Sequence, residues 1–241
     1  VYLTNYGKEL FPYIKNVQNS EEYLQQAVAQ IGGMEKGVVR IGTFNSACVE
    51  WMPSLLRGFE KDYPNIRIDI YQGSYDDVYQ WLKDGIVDLG FLSSTSAGDL
   101  SCTPIYQDKI ICVAPQGFKT ENEGYITIEE LKKQRFVTQR EGCDADVNHV
   151  MNKYDLPGGG GSYIADDMSA VSLVMGGFGV CLMPELVIRN IPFPVDVIPL
   201  EVEEKRTIVL AYVRSDVLAP AVQKMQSYIL ESFQKKAEEE Q

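Results

Sequence analysis

Apolar and polar positions along residues 37–92 follow a pattern typical of strands separated by amphipathic helices. Val38–Ile41, Ile66–Tyr71 and Val87–Leu92 are short apolar or alternating runs, and they predict three strands. A helix is predicted after the first strand and ends at Tyr63-Pro64-Asn65, and a second is predicted between Gly73-Ser74 and Gly85. Strands and helices alternating at these spacings predict a parallel α/β unit.

Residues 8–31 predict a long helix with an apolar stripe. Its apolar positions recur every seven residues with intermediate positions between them, and Glu21 interrupts the stripe: Leu10, Ile14, Val17, Leu24, Val28 and Ile31. This spacing is typical of a seam between paired helices over about three heptads. The alternative is an amphipathic helix packed on its own domain. Gly32-Gly33 ends the helix and supplies a hinge.

The second half of the chain predicts shorter elements. Thr127 with Glu130 forms a capping-box pattern, and Asp144 precedes a helix containing Val150 and Met151. Gly158–Gly161 reads as a flexible linker, so either the strand that follows is short and begins at Tyr163 or the segment was altered. The remaining predictions are an extended segment Thr103–Ala114, a short strand Phe136–Val137, a helix Ser169–Gly176, two strands Val195–Leu200 and Thr207–Val213, and a helix Leu218–Phe233 with a frayed tail Lys235–Gln241.

The order of several short motifs resembles the effector-binding domain of LysR-type transcriptional regulators. The matching residues are Ile41-Gly42 at a strand end, the hydroxyl residue Ser46, Met52-Pro53, Phe59, Tyr63-Pro64, and Asp88 before the third strand. Met52 stands where the family has Leu. Leu3, Thr4 and Gly7 resemble the end of the family's winged helix-turn-helix domain, and Gly177-Phe178-Gly179 through Pro184 resembles its return strand.

The resemblance implies an α/β fold of the type II periplasmic-binding-protein kind, with two Rossmann-like subdomains joined by crossover strands. Residues 1–36 would hold the winged-helix remnant and the linker helix. Subdomain I would comprise residues 37–113 plus 206–241, and subdomain II would comprise residues 114–205. DNA would be bound only through an N-terminal domain that this sequence lacks.

The composition of the chain limits the kinds of partner and compartment that can be expected. The 241 residues carry a formal net charge of -12, so the chain itself is expected to repel a phosphate backbone. The sequence contains no apolar run of about 18 residues, so no membrane span is predicted. The five cysteines have no short paired spacing, which indicates a reducing compartment. We expect inert thiols, with redox sensing at Cys48 or Cys143 as the alternative, and the resemblance implies a bacterial, cytoplasmic protein.

Catalytic and cofactor chemistry is not predicted. His149 is the single histidine and lies on a predicted helix, where a solvated or capping role is expected. Zinc-binding spacing and a dinucleotide fingerprint are both missing, so no metal and no cofactor is expected. Paired carboxylates such as Asp166-Asp167 are interpreted as helix caps.

Three functions from different classes remain open. The leading hypothesis is the effector-sensing domain of a LysR-type regulator, which is not an enzyme. A solute-binding receptor of the same fold is the alternative, although the heptad helix and the Leu3-Thr4 motif argue against it. An enzyme such as a dehydratase of prephenate type is the third, and the missing acid–base set argues against it.

The predicted effector site lies at the carboxyl ends of the strands, where parallel sheets bind ligands. Ser46 is predicted to cap the following helix, whose N-terminus favours an anion, so a small carboxylate is the predicted effector. The predicted ligand-binding residues are Thr43, Asn45, Ser46, Ala47, Gly73, Ser74 and Ser93, with Thr138, Gln139 and Ser169 facing them.

The predicted assembly is a homodimer or homotetramer. A lone helix over residues 8–31 would expose its apolar stripe to water. The resemblance also implies that a subdomain I helix near Pro53–Asp62 pairs with a subdomain II helix of another copy.

Overall fold

The structure is a computed structural model, and it describes residues 3–33, 35–139, 144–158, 164–189, 192–213 and 218–239. The chain forms two compact units. Unit 1 comprises residues 1–106 and 208–241, and unit 2 comprises residues 107–207. Within the described ranges, no helix is both long and apolar enough to cross a lipid bilayer.

Unit 1 is a sheet flanked by helices, in which β1, β2 and β3 are parallel, as the pattern of residues 37–92 predicts. Its strands follow the order β2-β1-β3-β6, with β1 parallel to β2 and β3, and β3 antiparallel to β6. The rings of Trp51, Phe91 and Phe233 pack together in the core. The elements are α1 (Asn5–Ile31), β1 (Gly37–Thr43), α2 (Asn45–Asp62), β2 (Ile66–Gln72), α3 (Tyr75–Lys83), β3 (Leu89–Ser93), the start of β4 (Ser101–Pro115), the end of β6 (Val195–Tyr212) and α8 (Pro220–Glu239).

Unit 2 contains the rest of β4 and β6 and five shorter elements. Strands β4 and β5 pair antiparallel, and isolated bridges join Ile126 to Leu200 and Phe136 to Val180. Apolar clusters lie around Leu131 and Val174. The shorter elements are α4 (Ile128–Lys132), α5 (Ala145–Lys153), α6 (Asp167–Met175), β5 (Cys181–Pro184) and α7 (Glu185–Ile188).

Helix α1 turns its apolar stripe away from unit 1. It begins at Asn5, with Thr4 as its N-cap, and its buried residues are Asn19, Gln26 and Ala29. The stripe residues are 56–88% exposed: Leu10, Ile14, Val17, Leu24, Val28 and Ile31. The helix therefore docks on unit 1 through a largely polar face and leaves the heptad positions open.

Two predictions near the end of the chain are wrong. Strand β6 is continuous from Val195 to Tyr212, where two strands were predicted. Its polar middle stays extended because β6 is hydrogen-bonded to β4 in the sheet, and side chains such as Glu203 and Thr207 also bond to Lys109 and Gln107 of β4. Helix α8 continues to Glu239, past the predicted fraying point at Lys235, and residues of high helix propensity explain the extension.

Candidate functional site

The carboxyl edge of unit 1 brings the ends of β1 and β2 together. Thr43 and Gln72 are register partners, and the Gly73 N–H donates to the Thr43 carbonyl oxygen at 3.0 Å. The rings of Phe44 and Tyr75 pack edge to face with centroids 4.9 Å apart. Phe44 is therefore a buried contact that holds the starts of α2 and α3 in place.

Ser46 does not cap α2, which corrects the sequence prediction. The helix begins at Asn45, so the N-cap position belongs to Phe44, whose side chain makes no capping bond. Ser46 lies inside the first turn and is buried. The first turn of α2 contains no acidic residue, whereas those of α3, α4, α5 and α6 each contain one or two. The positive end of the α2 dipole is therefore not neutralised by its own first turn.

The other unit 1 candidates differ in exposure. Thr43 and Ser93 are fully buried, and the Ser93 hydroxyl lies 3.0 Å from that of Thr95. Ala47 is also buried, whereas Asn45 is exposed. Ser74 is exposed and forms a capping box with Asp77, and the bonds from Ser74 lower the pKa of the Asp77 carboxyl. The Ser74 side chain therefore serves the start of α3.

In unit 2, Thr138 and Gln139 line one cavity of about 20 Å³. The Gln139 Nε2 donates to the Asp167 Oδ1 at 2.6 Å. Ser169 does not line this cavity, and its N–H and Oγ both donate to the helix cap Asp166, at 2.9 and 2.7 Å. Val137, the N-cap of α5 and residues of α5, α6 and β5 complete the wall: Val137, Asp144, Val147, Asn148, Met151, Asp167, Ala170, Cys181, Leu182, Met183 and Pro184.

A buried ion cluster beside this cavity was missed by the sequence reading. Arg206 donates through Nε and Nη2 to Asp108 Oδ2 at 2.9 and 2.7 Å, and both side chains are buried. The Leu186 N–H donates to the other Asp108 oxygen at 3.0 Å. In the sequence, this ion cluster is signalled only by a charged residue next to an apolar run, which is Asp108 in β4 and Arg206 in β6.

Asp144 joins the cavity to this ion cluster. Its Oδ1 accepts from the N–H groups of Asp146 and Val147 at 3.1 Å, which confirms the predicted cap of α5. Its Oδ2 lies 3.6 Å from Arg206 Nη1. Burial raises the pKa of Asp144 to about 6, although Arg206 opposes the shift.

Burial disfavours the thiolate at three of the four described cysteines, and the fourth, Cys102, is exposed. Burial raises the pKa of the Cys48 thiol, which disfavours the reactive thiolate. Cys112 and Cys181 are buried, and Cys143 lies outside the described residues. No group of three or more potential metal ligands occurs in the described part of the chain.

Comparison with known proteins identifies the family. A family described as the LysR substrate binding domain matches residues 32–234. The transcriptional dual regulator GltC of Bacillus subtilis is 24% identical over 98% of this chain and 80% of its own length.

Two solved structures share the fold of this chain at lower sequence identity. The effector-binding domain of QuiR in complex with shikimate has a TM-score of 0.74 and 19% identity, covering 83% of this chain and 98% of that chain. The regulatory domain of Synechocystis CcmR in complex with 2-PG has a TM-score of 0.75 and 16% identity, covering 82% of this chain and 98% of that chain. This likeness confirms the predicted α/β fold of the type II periplasmic-binding-protein kind. Because the family match spans most of its length, the chain belongs to the LysR substrate-binding domain family.

Proposed function

We propose that this chain is the effector-sensing part of a LysR-type transcriptional regulator. Its units 1 and 2 correspond to the two predicted subdomains. A small molecule binds at the carboxyl edge of unit 1, against Thr43 and Ser46, and at the cavity wall of unit 2 that carries Thr138 and Gln139. The observation that carries this proposal is the carboxyl edge of parallel strands beside the start of α2, whose first turn holds no acidic residue, in a chain of this family.

A carboxylate is the proposed effector class. The dipole of α2 favours an anion at its start, and the first turn places no competing carboxylate there. The Ser46 hydroxyl adds a hydrogen-bonding group without adding charge. The QuiR domain holds shikimate, a hydroxylated carboxylate, in a structure of the same fold.

Ser46→Ala is expected to weaken effector binding. Ser46 is buried in the first turn of α2, so denaturant unfolding of the variant measures its effect on stability separately. Loss of one hydrogen bond to a carboxylate costs about 1.5–3 kcal/mol, which corresponds to a roughly tenfold or larger rise in Kd. A thermal-shift screen of small carboxylates supplies the ligand, and titration calorimetry measures its affinity.

Thr127→Ala is the matched control, because Thr127 forms a true capping box in unit 2. It should cost about 1 kcal/mol of unfolding free energy and leave the affinity unchanged. Ser46→Ala binding with the affinity of the parent would show that the proposed site is wrong.

DNA binding is proposed to reside outside this chain. A net charge of -12 opposes contact with a phosphate backbone, and the matched relative GltC is a transcriptional regulator longer than this chain. A regulator of this kind acts in the bacterial cytoplasm. We assign no catalytic role, because the single imidazole, His149, lies on the exposed face of α5 and the family is one of regulators.

We propose that the homodimer forms by pairing of two α1 helices through their apolar stripes. Two such dimers would associate into the homotetramer. Replacing Val17 and Leu24 together by glutamate should convert the dimer to a monomer, because it places charges in the apolar seam. Sedimentation at tens of micromolar measures the mass. Gln25→Glu adds a charge beside the stripe and should leave the dimer intact. A parent protein that sediments as a monomer would refute the assembly.

A further inference from the structure

The contact between α1 and the rest of unit 1 combines the small buried Ala29 with several polar side chains, among them Gln26, whose Oε1 accepts from the Ala221 N–H at 3.3 Å. The Tyr23 hydroxyl donates to Asp88 Oδ1 at 3.0 Å, and Arg40 Nη2 donates to Glu22 Oε2 at 2.8 Å. Asn19 Nδ2 donates to the Gly85 carbonyl oxygen at 2.8 Å. Interfaces that stay closed permanently bury mainly apolar groups, so this polar composition is that of a separable contact.

The contact between α1 and the rest of unit 1 also buries polar groups at a cost in free energy. Asn19 is only 6% exposed, and its Oδ1 has no hydrogen-bond partner among the described residues. A buried unsatisfied polar group of this kind is unfavourable by about 1–3 kcal/mol, and release of α1 into water removes that cost. Asp88 is buried as well, and its burial raises the pKa of the carboxyl. Open grooves of about 730 and 810 Å³ flank the helix.

Asp88 stands at the centre of this contact. The Arg40 N–H donates to Asp88 Oδ2 at 2.7 Å, and the Asp88 N–H donates to the Arg40 carbonyl oxygen at 2.8 Å. These bonds join β1 to the residue that precedes β3. Arg40 lies in the middle of β1 and Asp88 directly before β3, and the same two strands end at Thr43 and Ser93 on the proposed effector edge.

The end of α1 contains a pivot. Gly32 is the C-cap, and Gly33 has a positive φ of 74° with nothing packed where a Cβ would lie. A chain that leaves the helix through this turn changes direction with little steric resistance.

We propose that Asp88, Tyr23, Arg40 and Glu22 form a polar latch that holds α1 on the rest of unit 1, and that α1 separates from β1 and β3 when the latch opens. The latch is a conformational device within unit 1, distinct from effector binding. Release of α1 changes the direction in which the chain before residue 5 departs. In the proposed function that segment leads to the DNA-binding domain.

The test measures access to the docked face of α1. Ala29 is 5% exposed and lies outside the heptad stripe, so a thiol introduced by Ala29→Cys is protected by docking rather than by helix pairing. N-ethylmaleimide labelling is followed by peptide mass spectrometry, which resolves this position from Cys48 and Cys102. No effector is needed, so failure of the latch and failure of the effector site are distinguishable.

In the Ala29→Cys background, Asp88→Asn should raise the labelling rate at position 29 by about tenfold or more, since a bond to a charged group is lost. Tyr23→Phe keeps the ring, is expected to fold, and should raise the rate several-fold. The matched controls Asp99→Asn and Tyr79→Phe break an exposed Tyr79–Asp99 bond of 2.9 Å in the same unit and should leave the rate unchanged.

Two outcomes overturn the proposal. The first is an unchanged labelling rate at position 29 in both latch variants. The second is an equal rise at position 29 and at the half-buried Cys48 of α2, which would make Asp88 a general structural support of unit 1. If Asp88→Asn does not fold, the Tyr23→Phe rates decide the question.

Discussion

Replacing Asp108 by alanine is expected to lower the free energy of unfolding of unit 2 by about 3–5 kcal/mol. Asp108 is fully buried and accepts two bonds from Arg206 and one from the Leu186 N–H. Its removal takes away a carboxylate that lies 2.7 Å from the buried Arg206 guanidinium. Asp144 does not replace it, because its oxygen lies 3.6 Å from Arg206, beyond ordinary hydrogen-bond distance.

Denaturant unfolding of the variants measures this cost. Asp108→Leu combined with Arg206→Met should regain most of the stability, since an apolar pair of similar size replaces a buried ion pair at little cost. Asp99→Ala removes an ion pair to Lys83 on the surface and should change stability very little. Equal effects of Asp108→Ala and Asp99→Ala would contradict the role assigned to burial.

Gly179→Ala is expected to cost about 3 kcal/mol or more and to displace the segment that carries Thr138 and Gln139. Gly179 has a φ of 143°, and a Cβ there would lie 2.2 Å from the Arg135 carbonyl oxygen. That oxygen accepts the Val180 N–H, and the Val180 carbonyl oxygen accepts the Val137 N–H. The substitution therefore strains the backbone and opens the hydrogen bonds that position the cavity wall.

Gly177→Ala separates the cost of a positive φ from the cost of the close approach to the Arg135 carbonyl oxygen. Gly177 also has a positive φ, of 77°, but nothing lies within 4 Å of the point that a Cβ would occupy. It should cost only about 1 kcal/mol, from backbone conformation alone. Unfolding free energies measure the difference, and hydrogen exchange at the Val137 and Val180 amides reports the opening. Equal costs at the two glycines would show that the approach to Arg135 is not the cause.

Local patterns sufficed for much of the fold. The β-branched run at Val38–Ile41 and the break at Tyr63-Pro64 predict the order of β1, α2 and β2. Thr127 with Glu130 predicts a capping box that the structure confirms. These features succeed because the interactions that form them lie within a few residues of one another.

Long-range contacts decided the site. Ser46 is no cap because β1 stays extended through Thr43 and Phe44 packs on Tyr75, so α2 starts two residues earlier than the hydroxyl pattern indicates. Asp108 and Arg206 are 98 residues apart, and their pairing is set by β4 and β6. The subdomain limits and the ligand-binding residues stay predictions for the experiments above.

Helix α1 shows within one element what the sequence determines and what the tertiary structure decides. The heptad spacing of Leu10, Val17, Leu24 and Ile31 by itself determined an apolar stripe, because a helix places every seventh residue on one face. Only the tertiary structure decided which face docks on unit 1. Asn19, Glu22 and Tyr23 find partners at Gly85, Arg40 and Asp88, residues that no periodicity connects to the helix.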